Sequence, residues 1–349
     1  MSFYDKLQLD PYAIKQLIHT NNSASERRKL FFVMFFRSVL LVSFAIVFIS
    51  VINLLFGAEN QYLAVVLFCM LLSIRFIHFG YKLSQSIVGL GLILGAFFLI
   101  PLVMQVNSIF WKFIFNFLLL GMILLLTSDN PKMGNPGLYS FSYVFLSGTS
   151  IQLNQTQLIN RGSLLGLFFV LFSILFVIKH GQKHIKRSLQ NTLFEKGILN
   201  KKNLWLMYYV LGISLILVLG YLIDIKRYMW VGIAFSSLIS IYELPDIKSR
   251  FVDRLVGVVV GSILFIVLAQ MIPASLLGIL GGIALGLCTT YRFKNIFNCF
   301  GALALATTLF GNSQAVILRI SNNLLGLLLG FVYLLVGRMI YERIFIKGI

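Results

Sequence analysis

The sequence predicts an all-α polytopic membrane protein of about twelve transmembrane helices, arranged as two parallel six-helix repeats about a pseudo-two-fold axis along the membrane normal. Three observations lead there. Hydrophobic residues make up 59% of the 349 and charged residues only 11%, whereas soluble domains run at about 45–50% apolar and about 25% charged. Uncharged apolar stretches recur from end to end, and a helix needs about 20 such residues to cross a bilayer. Segments of the two halves also match one another, in the same order.

Residues 1–30 form a basic, polar N-terminal segment on the cytoplasmic side. Within it, DPYAIKQLIHT offers Asp10 as an N-cap and Pro11 at the first helical position. Ile14, Leu17 and Ile18 share one face, as in a short helix lying on the inner membrane surface. Apolar segments follow at 31–56, 61–75, 86–104, 108–127, 138–150, 162–179, 204–223, 228–242, 252–272, 275–290, 295–310 and 319–340. The first is too long for the apolar core of a cleaved signal peptide, so it reads as a retained span. Several are short, as tilted, broken or neighbour-packed segments are. A ten-span arrangement with two re-entrant segments is the alternative.

The first six-span repeat runs over 31–180, a basic cytoplasmic linker over 181–203, and the second repeat over 204–349. QYLAVVLF (61–68) matches RYMWVGIA (227–234), SIVGLGLILG (86–95) matches RLVGVVVGSI (254–263), and LINRGSLLG (158–166) matches LRISNNLLG (318–326). These place Gly89 over Gly257 and Gly166 over Gly326, and all four glycines are expected at helix contacts. Six spans per half is even, so both halves enter the membrane in one orientation, and a solute path belongs at their interface.

The net charge of +18 fits positive inner loops rather than nucleic acid. With the N-terminus inside, only Lys112, Arg161, Lys226, Arg227 and Arg319 of the 29 basic residues fall toward the outside. The expectation is a multi-pass cell-membrane protein with both termini cytoplasmic. The loop 179–202 carries Lys179, Lys183, Lys186, Arg187, Lys196, Lys201 and Lys202 and is expected to meet anionic lipid headgroups. Oligomeric state is not legible.

No chemistry-bearing motif points to an enzyme. There is no GxxxxGK[ST] phosphate loop, and no loop is long enough for a catalytic domain. Cys69, Cys288 and Cys299 are odd in number and lack metal-site spacing. His180 and His184 are four apart, without an accompanying carboxylate or cysteine, so neither metal nor cofactor is expected. No acidic residue lies mid-span; Asp253 and Glu342 come closest, near inner ends. Proton-driven carriers often use buried carboxylates, so passive anion conduction, or coupling through Arg, His or the substrate, is favoured.

The stretch RFVDRLVGVVVGSILFIV (250–267) draws the eye to Arg250, Asp253 and Arg254, with Asp253 placed to pair with Arg250. Gly257 and Gly261 make a small-xxx-small face for close helix packing. Arg250 and Arg254 share a face, either as a plain membrane anchor or as a cytoplasmic vestibule that concentrates anions. Arginine suits the second role because its fork binds carboxylates bidentately. The matching turn of the first half holds Arg75, His78 and Lys82. Arg161 and Arg319 are expected at the opposite, outer end, with Asn160, Gln314, Asn322 and Asn323 as neutral hydrogen-bonding neighbours. Arg37, inside the first span, is a further candidate.

The stretch MWVGIAFSSLISIYELPDIKSRFVDRLVGVVVG (229–261) has a Trp near the start of a short span, a polar turn with Pro, then Arg before a Gly-rich span. In this it resembles the fusaric-acid-resistance (FUSC) and aromatic-acid-exporter superfamily, related to plant aluminium-activated malate transporters. Arg254, Gly257 and Gly261 carry the core of the likeness, and Arg37 in FFRSVLL resembles the family's Arg in its opening helix. The first half departs from the pattern, with Ser86 at the Arg254-equivalent place and no Pro in its turn. The resemblance implies a transporter or channel for small organic anions, with aromatic carboxylates as candidates and efflux as the direction. An envelope protein that binds or moves an anionic lipid, and a non-transporting membrane scaffold, are the alternatives.

Overall fold

A computed structural model describes residues 3–21, 23–130, 134–183, 185–194, 200–240 and 247–345. Among them all regular structure is helical. Two short helices, α1 (Phe3–Gln8) and α2 (Pro11–Thr20), precede the long α3 (Ala24–Phe56). Then follow α4 (Gln61–Ile74), α5 (Leu83–Met104), α6 (Ile109–Thr127), α7 (Asn135–Gly148) and α8 (Gln155–His180). After the short α9 (Leu189–Phe194) come α10 (Lys201–Leu222), α11 (Met229–Ile239), α12 (Ile247–Leu268), α13 (Ala274–Leu287), α14 (Tyr291–Phe310) and α15 (Asn312–Phe345).

Every apolar segment read from the sequence carries a helix. Eight of them, α3, α5, α6, α8, α10, α12, α14 and α15, are long and apolar enough to cross a membrane. The others are shorter: α13, at 14 residues, rises about 21 Å against a hydrocarbon core of about 30 Å. Local chemistry sets several boundaries. The Asp10 carboxylate accepts the Ala13 amide at 2.7 Å, with Pro11 opening α2, as its sequence requires. Asn154 and Gln157 exchange bonds in a capping box at the start of α8, and the Asn200 side chain caps α10.

The chain folds as two compact units that interleave in sequence: residues 1–47 with 246–324, and residues 48–245 with 325–349. In the first unit, Ile14 of α2 packs with Leu30, Val33 and Met34 of α3, joined by Leu17, Ile18 and Leu287. The apolar face of α2 is thus covered by protein. Here α3 and α13 run antiparallel: Ser38 donates to the Ile283 carbonyl at 2.5 Å, and Val42 lies against Gly282. Helices α12 and α14 run parallel, since Gly257 sits against Arg292 and Asn295, Gly261 against Ile296, and Phe265 against Phe300. Between them α13 returns antiparallel to α14, with Gly278 against Ala304 and Gly281 against Phe300.

In the second unit, α5 and α8 are antiparallel, with Gly91 against Phe169 and Gly162 against Phe98. So are α6 and α10, through Gly121 against Val210 and Lys112 over Tyr221. Helix α11 opposes α7, with Gly232 against Val144 and Gly148 against Met229. It runs parallel to α15, with Gly326 against Val231 and Gly330 against Phe235. Helix α10 opposes α15, where Tyr208 and Tyr333 stack at 4.1 Å and each donates to the other's carbonyl.

The glycines divide. A Cβ on Gly257 would meet the Arg292 carbonyl at 2.8 Å, and on Gly261 it would press on the Ile296 backbone. Gly326 is equally close to the Val231 carbonyl, and Gly89 to the Tyr81 hydroxyl at 2.7 Å. Gly166 corrects the expectation: it is exposed, and an added Cβ meets nothing within 4 Å. Its helix turns Arg161, Leu164, Leu165 and Phe168 inward. Five residues on from Arg161, at 100° per residue, position 166 points well away from that face.

Candidate functional site

Arg254 stands seven residues into α12, about 10 Å along its axis. It is buried, with 4% of its surface exposed. The helix begins at 247 rather than 252, which draws this arginine in from the expected mouth of the span. Its guanidinium donates to the Asn323 side-chain oxygen at 3.2 Å and to Tyr291 and Asn295 oxygens at 3.4 Å. No carboxylate among the described residues pairs with it.

The close approach permitted by Gly257 and Gly261 brings Tyr291 and Asn295 into reach. Both lie on the face of α14 that presses onto α12, and four residues separate them. Asn295 donates to the Tyr291 carbonyl at 2.8 Å, which leaves its oxygen turned to the arginine. Asn323 is held the same way, by donation to the Arg319 carbonyl at 2.8 Å. The question raised by RFVDRLVGVVVG therefore has one physical answer: the glycines admit the helix that partners the arginine.

Arg319, one turn before Asn323 on α15, is 3% exposed and has the Cys299 thiol and Arg254 among its neighbours. Asn322 is buried beside it in sequence. The sequence reading put Arg254 and Arg319 at opposite ends of a path; they belong to one cluster. The reason is depth. Each lies seven residues inside its helix, about 10 Å along the axis from its start. Two cations, Asn295, Asn323 and the Tyr291 phenol thus share a largely apolar interior.

Asp253 corrects a second expectation. It pairs with Arg292 of α14 at 2.6 Å, while the Arg250 guanidinium lies over the Tyr291 ring at 4.2 Å. Both contacts follow from the same α12–α14 approach. Asp253 faces α14 rather than its own helix, and Tyr291 links Arg250 to Arg254. Arg37 is half-buried in α3, and Gln314 is exposed.

The remaining candidates belong to the second unit. Arg161 is buried and donates to the Phe97 carbonyl of α5 at 2.8 Å; Asn160 is half-buried. Arg161 thus links α8 to α5, as Arg254 links α12 to α15. Arg75 lies over the Phe76 ring at 5.3 Å, and Lys82 is exposed at the start of α5. His180 approaches the Ile74 carbonyl with Nε2 at 2.8 Å, so that nitrogen carries the proton. It faces His78 across a cavity of about 200 Å³ also lined by Tyr81 and Ser86. Tyr81 donates to the Leu126 carbonyl at 2.9 Å, and burial beside Asp129 pushes its phenol well above the usual range. His184 and Pro245 lie outside the described residues. No group of three or more metal-ligating side chains occurs among the described residues.

Sequence reading missed Tyr291 and Asn295, although polar residues at i and i+4 in YRFKNIFN were the available signal. It also missed the depth of Lys112. That ammonium is buried, 3.0 Å from the centre of the Tyr221 ring, with no hydrogen-bond partner among the described residues.

Residues 214–333 match a family model described as fusaric acid resistance protein-like. That span contains the whole α12–α14 packing face and reaches through Asn323 of α15, so the resemblance to the FUSC superfamily stands for this region. No curated protein and no solved structure matches the chain.

Proposed function

We propose that this protein moves small organic anions, with carboxylates as the substrate class, across the cell membrane. The observation that carries the reading is the buried pair Arg254 and Arg319 among asparagines, with no carboxylate bound to Arg254 among the described residues. A buried guanidinium with no carboxylate bound to it is costly in a low-dielectric interior, the more so beside a like charge. An anion that enters supplies the counter-ion, and its departure restores the strained state. That is the balance conduction requires: attraction enough to enter, weak enough to leave. The Tyr291 hydroxyl can turn to donate to a carboxylate bound at the arginine. The family match supports transport as the broader class, and the exporter likeness supports outward movement.

Twelve crossings, both termini cytoplasmic and a pseudo-two-fold relation between the halves form the architectural part of the proposal. Its support is directional. Strict alternation over twelve spans requires α12 parallel to α14, α11 parallel to α15, and α3, α5, α6, α7 and α10 antiparallel to α13, α8, α10, α11 and α15 respectively. The glycine contacts within each unit have those directions. The short α13 runs back between parallel neighbours, as a crossing helix must.

The test is flux into liposomes from purified protein. Benzoate and a short aliphatic carboxylate should enter faster than in protein-free vesicles, with an uncharged analogue such as benzamide showing no protein-dependent gain. Equal rates with and without protein would end the transport reading.

A further inference from the structure

The inner end of α3 carries a second feature, independent of the transport reading. Arg27 and Arg28 are both exposed. Neither guanidinium forms an ion pair or side-chain hydrogen bond among the described residues, whereas Glu26 beside them is taken by Lys29 at 2.8 Å and Lys6 at 4.0 Å. The local acid is therefore already neutralised, and two unneutralised cations remain.

Directly after them stand Phe31, Phe32 and Phe35, exposed by 56%, 58% and 44%. The spacing is helical: 27, 31 and 35 line one stripe, and 28 and 32 the next. The opposite face, Leu30, Val33 and Met34, is covered by α2. Together Ala24, Arg27, Arg28, Phe31, Phe32 and Phe35 make one open face of α3. From there α3 continues as the span whose apolar window is the least buried of the eight, at 6%.

We propose that this face of α3 binds one anionic phospholipid of the inner leaflet. The two guanidiniums take the headgroup phosphate, and an acyl chain lies along the Phe31 and Phe35 rings toward the hydrocarbon. Charge selects the occupant: a neutral zwitterionic lipid brings its own ammonium to a site that already holds two cations. Guanidinium geometry suits phosphate, which accepts the planar fork through two oxygens. The aromatic stripe begins one turn from the cations, about 6 Å along the axis, the scale on which a headgroup gives way to acyl chain. Bound there, the lipid fastens the α2–α3 corner to the membrane.

The experiment uses the full protein in nanodiscs of mixed phosphatidylglycerol and phosphatidylcholine, ejected for native mass spectrometry. The wild type should retain phosphatidylglycerol in preference to phosphatidylcholine. The double variant Arg27→Gln/Arg28→Gln should lower that retention roughly 10- to 30-fold, because each cation near an anionic headgroup contributes about three- to fivefold. Lys294→Gln, an exposed cation near the start of α14, controls for diffuse attraction and should change little. Phe31→Ser/Phe35→Ser should weaken retention of both lipids alike. Retention unchanged in the arginine variant overturns the proposal. An equal loss in Lys294→Gln also overturns it, because the attraction is then diffuse. Loss of a dimeric species in place of lipid would assign this face to a second copy of this chain and overturn it as well.

Discussion

Replacing Arg254 with methionine separates an arginine kept for transport from one kept for structure. Three N–H···O contacts of 3.2–3.4 Å disappear. They are at the long edge of the hydrogen-bond range, so about 1 kcal/mol each is generous. The Asn295 and Asn323 oxygens lose a donor, at about 1–3 kcal/mol for each one left unsatisfied. Against this stands the desolvation of a buried guanidinium, several kcal/mol, together with relief of its repulsion from Arg319. Methionine fills similar volume with a flexible, apolar chain. The terms nearly cancel, and the thermal midpoint in detergent should move by only a few degrees in either direction.

Transport should respond very differently. A unit cation about 4 Å from a carboxylate, at an effective dielectric near 20, contributes about 4 kcal/mol. Arg319 remains and the path can relax, so at least a tenfold fall in carboxylate flux per inserted molecule is expected, out of a ceiling of roughly a thousandfold. Arg254→Lys should recover part of it, since charge returns without the fork. The assay is initial-rate uptake into liposomes, normalised to protein that has inserted. Unchanged normalised flux with unchanged stability would refute the reasoning. A collapse of the thermal midpoint, matched by Arg254→Lys, would make the arginine a structural strut.

Other outcomes follow from the packing and the charges. Gly261→Leu should lower stability by about 3 kcal/mol or more, because its side chain meets the Ile296 backbone, which cannot move aside; thermal unfolding of the purified variant checks this. Gly166→Leu, on an open face, should match the wild type in the same measurement. Lys112→Met should leave the thermal midpoint level or raise it, because it removes a buried ammonium held only by the Tyr221 ring among the described residues. In a cysteine-free background, Ser188→Cys should be shielded from an impermeant thiol reagent in intact cells and Asn312→Cys labelled; the reverse pattern would overturn the orientation.

The sequence by itself determined that this is a helical membrane protein, where each apolar helix lies, and that Gly257 and Gly261 form a contact face. These are consequences of local composition and of helical spacing, which act within one segment. The Asp10 cap belongs with them, as a bond spanning three residues. What only the tertiary structure decided is partnership between distant segments. Arg254 and Arg319 are 65 positions apart, and nothing in either segment states how deeply it is inserted; the α12–α14 approach and the depth of α15 place both in one buried cluster. Asp253 chose Arg292 over Arg250 for the same reason, because a neighbouring helix offered a nearer cation than its own. Gly166 looked identical in pattern to Gly326, yet one faces open space and the other a backbone carbonyl. A glycine in an apolar helix permits close packing on whichever side a neighbour lies, and only the assembled bundle supplies the neighbour.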